Sequence, residues 1–135
     1  MKLWDFFHPP DRNEISDWGR NVRLSARERG QLNQKLDMIE RLGFDTAHGL
    51  DFLAGPLKHH RHTYKLVVHA GRMLRPMLCL GPFDKRSEMT LLCGAIEKGW
   101  ELDPPDAPAR AEAKRQLLID PKHAGEKLRV PHERF

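Results

Sequence analysis

The residues of this sequence best suited to chemistry are Lys65 and Arg75, with the basic run Lys58-His59-His60-Arg61-His62 just upstream. Guanidinium and ammonium groups bind phosphate oxygens, and imidazole exchanges protons near neutral pH. All of them fall in a stretch without a single Asp or Glu, between Asp51 and Asp84, which also holds Arg72 and His69. The whole chain carries a formal charge of only +4, so this stretch holds all of the excess and the remainder is slightly acidic. Such a concentration points to a polyanion, and the backbone of RNA or DNA is the obvious one. The alternative is a solvated polar face with no ligand.

His59, His60 and His62 have no Cys or carboxylate near them in sequence, and the flanking cations repel a divalent ion. No metal or other cofactor is therefore expected there; proton transfer or phosphate contact suits these imidazoles better. Trp100 follows Lys98-Gly99 and either stacks on an unpaired base or packs under the last helix. Asp103 and Asp106 flank prolines, as turn and N-cap residues do. Cys79 and Cys93 lie in apolar runs and are expected to be buried and unpaired. The sequence contains no phosphate loop, dinucleotide fingerprint or serine-hydrolase elbow.

The elements that position these residues are legible from periodicity. At 135 residues and 39% apolar content the chain suits one domain with its own core. A first strand over residues 1–7 precedes Ile15, Trp18 and Val22, which share one helical face. Ser25 and Glu28 have the spacing of a capping box, Leu32, Leu36, Ile39 and Leu42 form an apolar stripe, and Gly43 is a natural stop. Residues 44–62 read as loop. Alternation then predicts strands over 63–69, 72–80 and 89–96, with Pro76 at an edge or bulge. Pro104, Pro105 and Pro108 precede a last helix, and residues 121–135 read as a loose basic tail. The expected fold is α+β: a small antiparallel sheet with an N-terminal helical pair and a C-terminal helix. The start of the chain has no long apolar core, and no run approaches the ~20 residues of a membrane span, so a soluble cytoplasmic protein is expected.

With His69-Ala70-Gly71 as a three-residue hairpin loop, Val68 pairs with Arg72, Leu66 with Leu74, and Lys65 with Arg75. Like charges directly opposite are destabilising, which suggests that an anion lies between Lys65 and Arg75.

Thr63-Tyr64-Lys65-Leu66, Ala70-Gly71 and Arg72-Met73-Leu74-Arg75, followed by Leu91-Leu92-Cys93-Gly94-Ala95-Ile96-Glu97-Lys98, resemble the core of the RelE/ParE toxin superfamily, in particular its phage-derived, HigB-like branch. The resemblance spans roughly residues 12–120 and implies a toxin domain over 1–120 with a C-terminal tail. It further implies a toxin of a type II toxin–antitoxin system, a ribosome-dependent, metal-independent mRNA endonuclease. Its implied partners are a helix-turn-helix antitoxin, the ribosome and mRNA. By motif, Arg75 matches the phosphate-stabilising arginine, Lys65 a catalytic lysine of some members, and Lys98 the first base of a paired-lysine segment. Lys58, His59, His60, Arg61, His62, Arg72 and Trp100 are then the RNA-contacting candidates. Val67 and Gly99 replace basic residues of the family pattern, and His123 and His132 are candidates for its C-terminal acid. Alternatives are a ParE-like inhibitor of DNA gyrase and a nucleic-acid-binding protein without toxicity.

Overall fold

The computed structural model describes residues 1–135. Strand β1 (Lys2–His8) leads through a two-residue strand, β2 (Arg12–Asn13), into helix α1 (Glu14–Asn21). Asn13 caps α1, its side-chain oxygen accepting from the amides of Ile15 and Ser16 at 3.1 Å. Helix α2 (Ala26–Leu42) opens with the Ser25–Glu28 capping box and stops at Gly43, φ +83°. The segment expected to be loop instead contains a short helix, α3 (Phe44–Gly49), and strand β3 (Leu53–Ala54).

The three strands foreseen from alternation are each broken once. They become β4 (Tyr64–Leu66) with β5 (Val68–Ala70), β6 (Arg72–Leu74) with β7 (Met77–Leu80), and β8 (Glu88–Cys93) with β9 (Ile96–Lys98). Strand β10 (Glu101–Asp103), helix α4 (Ala107–Ile119) and strand β11 (Arg129–Pro131) complete the chain. The breaks occur at one level, at Val67, Arg75-Pro76 and Gly94-Ala95. Pro76 has no amide hydrogen to give, while Arg75 and Ala95 exchange backbone hydrogen bonds of 2.8 and 3.1 Å. The ribbon therefore turns a corner, from a large sheet ordered β11-β1-β8-β7-β4-β3 to a small one ordered β10-β9-β6-β5.

The fold is α+β, and the pairing is mostly antiparallel. The exception is β1, which runs parallel to β8 with Leu3 opposite Met89. Helices cover both faces of the large sheet. On one side Ile15, Trp18, Leu32, Leu36 and Ile39 pack on Leu3, Leu78, Met89 and Leu91; on the other, Ala107, Ala111 and Leu118 of α4 pack on Phe6, Met77, Cys79 and Leu92. All of β8 is buried as a result. Cys79 and Cys93 are free and buried, and burial pushes both thiols up to about 12. No helix is long and apolar enough to cross a membrane.

The hairpin register differs from expectation. Val68 pairs with Leu74 and Ala70 with Arg72, closing on Gly71 at φ +94°, and the same offset sets Lys65 against Met77. A slip of two residues leaves every side chain on its original face, so the apolar pattern does not distinguish the two registers.

The tail is not loose. Strand β11 pairs with β1, and the ring of Phe135 meets Trp18 edge-on at 6.2 Å. His132 Nδ1 lies 2.8 Å from Asp5, a fully buried carboxylate that also accepts from Asn13 and from the Glu133 amide.

Candidate functional site

An anion does lie between Lys65 and Arg75, and it belongs to the protein. Glu97 of β9 accepts from Lys65 Nζ at 2.8 Å through one oxygen and from Arg75 at 3.3 Å through the other. The hydrogen bond from Lys65 is the main cause holding the Glu97 carboxyl below its usual range. Arg75 is only 3% exposed, and its guanidinium also donates to the carbonyls of Leu74 and Val68, at 3.0 and 3.4 Å. Those carbonyls flank the corner, so Arg75 braces the turn between the two sheets and directs its charge at protein oxygens.

Arg72 is also occupied. It grips Glu28 of α2 through two bonds of 2.7 and 2.8 Å. Three of the five cations in the acid-free stretch are thus neutralised by carboxylates from outside it. Lys98 and Trp100 stand on the β9–β10 hairpin, where Lys98 lies 3.7 Å from Asp103 and Trp100 is fully exposed at the tip. Trp100 does not pack under α4.

The two remaining cations, Lys58 and Arg61, are exposed with His59 on the loop before β4, where His60 and His62 are half-buried. The loop closes on itself: the Leu57 amide donates to Thr63, and the Thr63 and His60 amides donate to His60 and Leu57, all at 2.9 Å. His59 takes φ +65° in this tight path, unusual for a residue with a Cβ. Facing the loop, α4 presents Glu112, Arg115 and Gln116, at the i, i+3 and i+4 spacing of one helical face. Loop and helix together enclose an open groove of about 580 Å³ lined by His59, His60, Arg61, His62 and Arg115.

Charges in this groove are arranged for proton chemistry. Burial first, and then the Arg115 charge, pull the His62 pKa below its ordinary 6.5. Arg61 Nε donates to His62 Nε2 at 3.2 Å, which requires that nitrogen to carry a lone pair. Glu112 accepts from Arg115 and Gln116 at 2.8 Å through one oxygen, while its other oxygen is buried without a partner. Glu112 and Arg115 escape a sequence reading because their helix lies 50 residues from the loop; the only signal was their spacing on one face. The two candidates for a C-terminal acid lie apart from this groove: His123 pairs with Glu126 at 3.1 Å on the surface, and His132 is held by Asp5.

No family model, curated protein or solved structure matches the chain.

Proposed function

We propose that this protein cleaves RNA without a metal ion, as the toxin of a toxin–antitoxin pair acting in the cytoplasm on ribosome-bound mRNA. The observation that carries the reading is the groove between the 57–62 loop and α4, where three imidazoles and two guanidiniums converge. Cleavage by a neighbouring ribose hydroxyl needs those groups and no others. The 2′-oxygen bonds to phosphorus, the bond from phosphorus to the 5′-oxygen breaks, and a cyclic phosphate and a 5′-hydroxyl result. His62, kept neutral by burial and by Arg115, takes the 2′-hydroxyl proton at Nε2 once the substrate displaces Arg61. His59 or His60 returns a proton to the leaving oxygen. Arg115, fixed by Glu112, offsets the charge that develops on the phosphate. Lys98 and Trp100 suit a flanking phosphate and base. In this reading Lys65 and Arg75 shape the sheet that carries the site, a change from the catalytic roles implied by the RelE/ParE resemblance. A helix-turn-helix antitoxin is the partner that would restrain the activity.

The test is induction in cells followed by mapping of mRNA 5′ ends. Codon-linked cuts that vanish in His62→Gln support the reading, and intact mRNA under growth arrest overturns it. A second reading, a non-catalytic inhibitor of a target such as DNA gyrase, draws on the neutralisation of Lys65 and Arg75 by Glu97 and on the bare Trp100 anchor. SOS induction with intact mRNA would favour it.

A further inference from the structure

The end of the large sheet from which β4 begins carries a second basic groove that the acid-free stretch does not account for. Strand β7 ends there at Leu80, opposite Met89, and β1 starts there at Lys2, opposite Glu88. Lys2, Arg41 at the end of α2, and Lys85 and Arg86 of the β7–β8 turn line an open groove of about 880 Å³. All four are exposed, and none is engaged by a carboxylate. Asp45 is the one acid in the lining. The nearby Asp84 already accepts from the Ser87 hydroxyl and the Arg86 amide, at 2.7 and 3.0 Å.

Lys2 Nζ sits 4.1 Å from the centre of the Trp4 ring; the other three cations have no ion-pair partner and repel one another unless an anion joins them. A single phosphate is far smaller than this space, whereas a phosphodiester chain offers repeated charges along it. The imidazole groove lies beside α4, on the face of the large sheet opposite α2. The 57–62 loop enters β4 at the same sheet end, and the Lys85 charge is close enough to help lower the His62 pKa. Within the β7–β8 turn Phe83 is 61% exposed and carries the Arg129 guanidinium 4.6 Å from its ring centre, a cation–aromatic pair beside which a base can stack.

We propose that the Lys2–Arg41–Lys85–Arg86 groove binds the backbone of single-stranded RNA and leads it across the β7–β8 turn to the imidazole groove. The proposal rests on the RNA-cleavage reading for its ligand, but a different measurement decides it. Fluorescence anisotropy of a labelled RNA of roughly 12 nucleotides, titrated between about 50 and 300 mM KCl, compares the full-length protein with Lys85→Ala/Arg86→Ala and with Arg41→Ala. Both variants change exposed side chains, and circular dichroism checks their folding. The double variant is expected to bind about 10-fold more weakly at low salt, with a log–log salt slope shallower by roughly 0.7 for each phosphate no longer neutralised. An unchanged slope in the folded variants overturns the proposal, even if the RNA is still cleaved. The expected loss of slope supports the groove whether or not mRNA is cut in cells, which the mapping of 5′ ends decides separately. A protein that shows no salt-dependent RNA binding overturns the proposal as well.

Discussion

Glu28 and Arg72, 44 residues apart in sequence, hold each other through two hydrogen bonds of 2.7 and 2.8 Å. The same carboxylate accepts from the Ser25 amide at 2.8 Å, so the first turn of α2 is fastened to the β5–β6 hairpin by one side chain. Arg72 holds the Glu28 carboxyl at about 2, against an ordinary 4.5. A lowered carboxylate pKa stabilises the fold above the unfolded value, and that contribution fades as pH falls from about 4.5 toward 2. Glu28→Gln is expected to cost on the order of 2 kcal/mol at neutral pH, the Arg72 side being 38% exposed and screened. Denaturant melts at several pH values would show the variant and the parent converging in acid; a constant gap would refute the assignment.

Glu97 compensates a buried guanidinium. Glu97→Ala leaves Arg75 without a counter-charge and is expected to cost about 3 kcal/mol, read from urea unfolding. Lys65→Ala removes a cation that is 24% exposed and should cost about 1 kcal/mol or less. Arg75→Ala is expected to melt early, so any loss of toxicity in that variant reports unfolding. Similar stability losses for Lys65→Ala and Arg75→Ala would contradict the bracing role.

His62 is expected to set the acid limb of the proposed RNA cleavage. Its rate constant is expected to rise with pH through a midpoint below 6.5, the ordinary histidine value. His62→Gln should lower the rate by roughly 10²–10⁴-fold and remove that limb, as measured with mRNA on programmed ribosomes across pH. His123→Gln, a change at the surface pair with Glu126, should leave the profile in place.

Gly94 lies flat against the indole of Trp18. A Cβ at that position would sit 2.0 Å from the nearest ring carbon, closer than any carbons pack. Gly94→Ala is expected to cost about 2–3 kcal/mol, because the ring is wedged between the sheet and Phe135. Trp18→Leu in the same background should recover part of that loss, measured by thermal melting of the single and double variants.

What could be read from the sequence was local. The Ser25–Glu28 cap, the stop at Gly43 and the strand alternation depend on residues a few positions apart, and the structure has all three. Register was harder, because a two-residue slip from Val68–Arg72 to Val68–Leu74 preserves both faces. The distribution of charge was visible, but its neutralisation was not: Glu28 and Glu97 arrive from 44 and 32 residues away. For the same reason Arg115 and Glu112 could not be joined to the histidine loop before the helix was docked. The tail misled because its anchor, the Asp5–His132 contact, spans 127 residues and leaves no periodic signal.

That contact bears on the order of assembly. Strand β1 pairs at its far end with the neighbouring β2, yet the partners of its residues 2–6 are β8 and β11, which are made much later. While the chain is being synthesised, both edges of β1 remain open along residues 2–6, and Asp5 waits for an imidazole that is still unmade. Pairings this distant in sequence slow the search for the native state. The α1–α2 pair can form early, but the sheet it covers closes only when residues 129–132 arrive. Until then Leu3 and Phe6 are apolar surface on an unpaired strand, a state in which a chaperone or a binding partner could intervene.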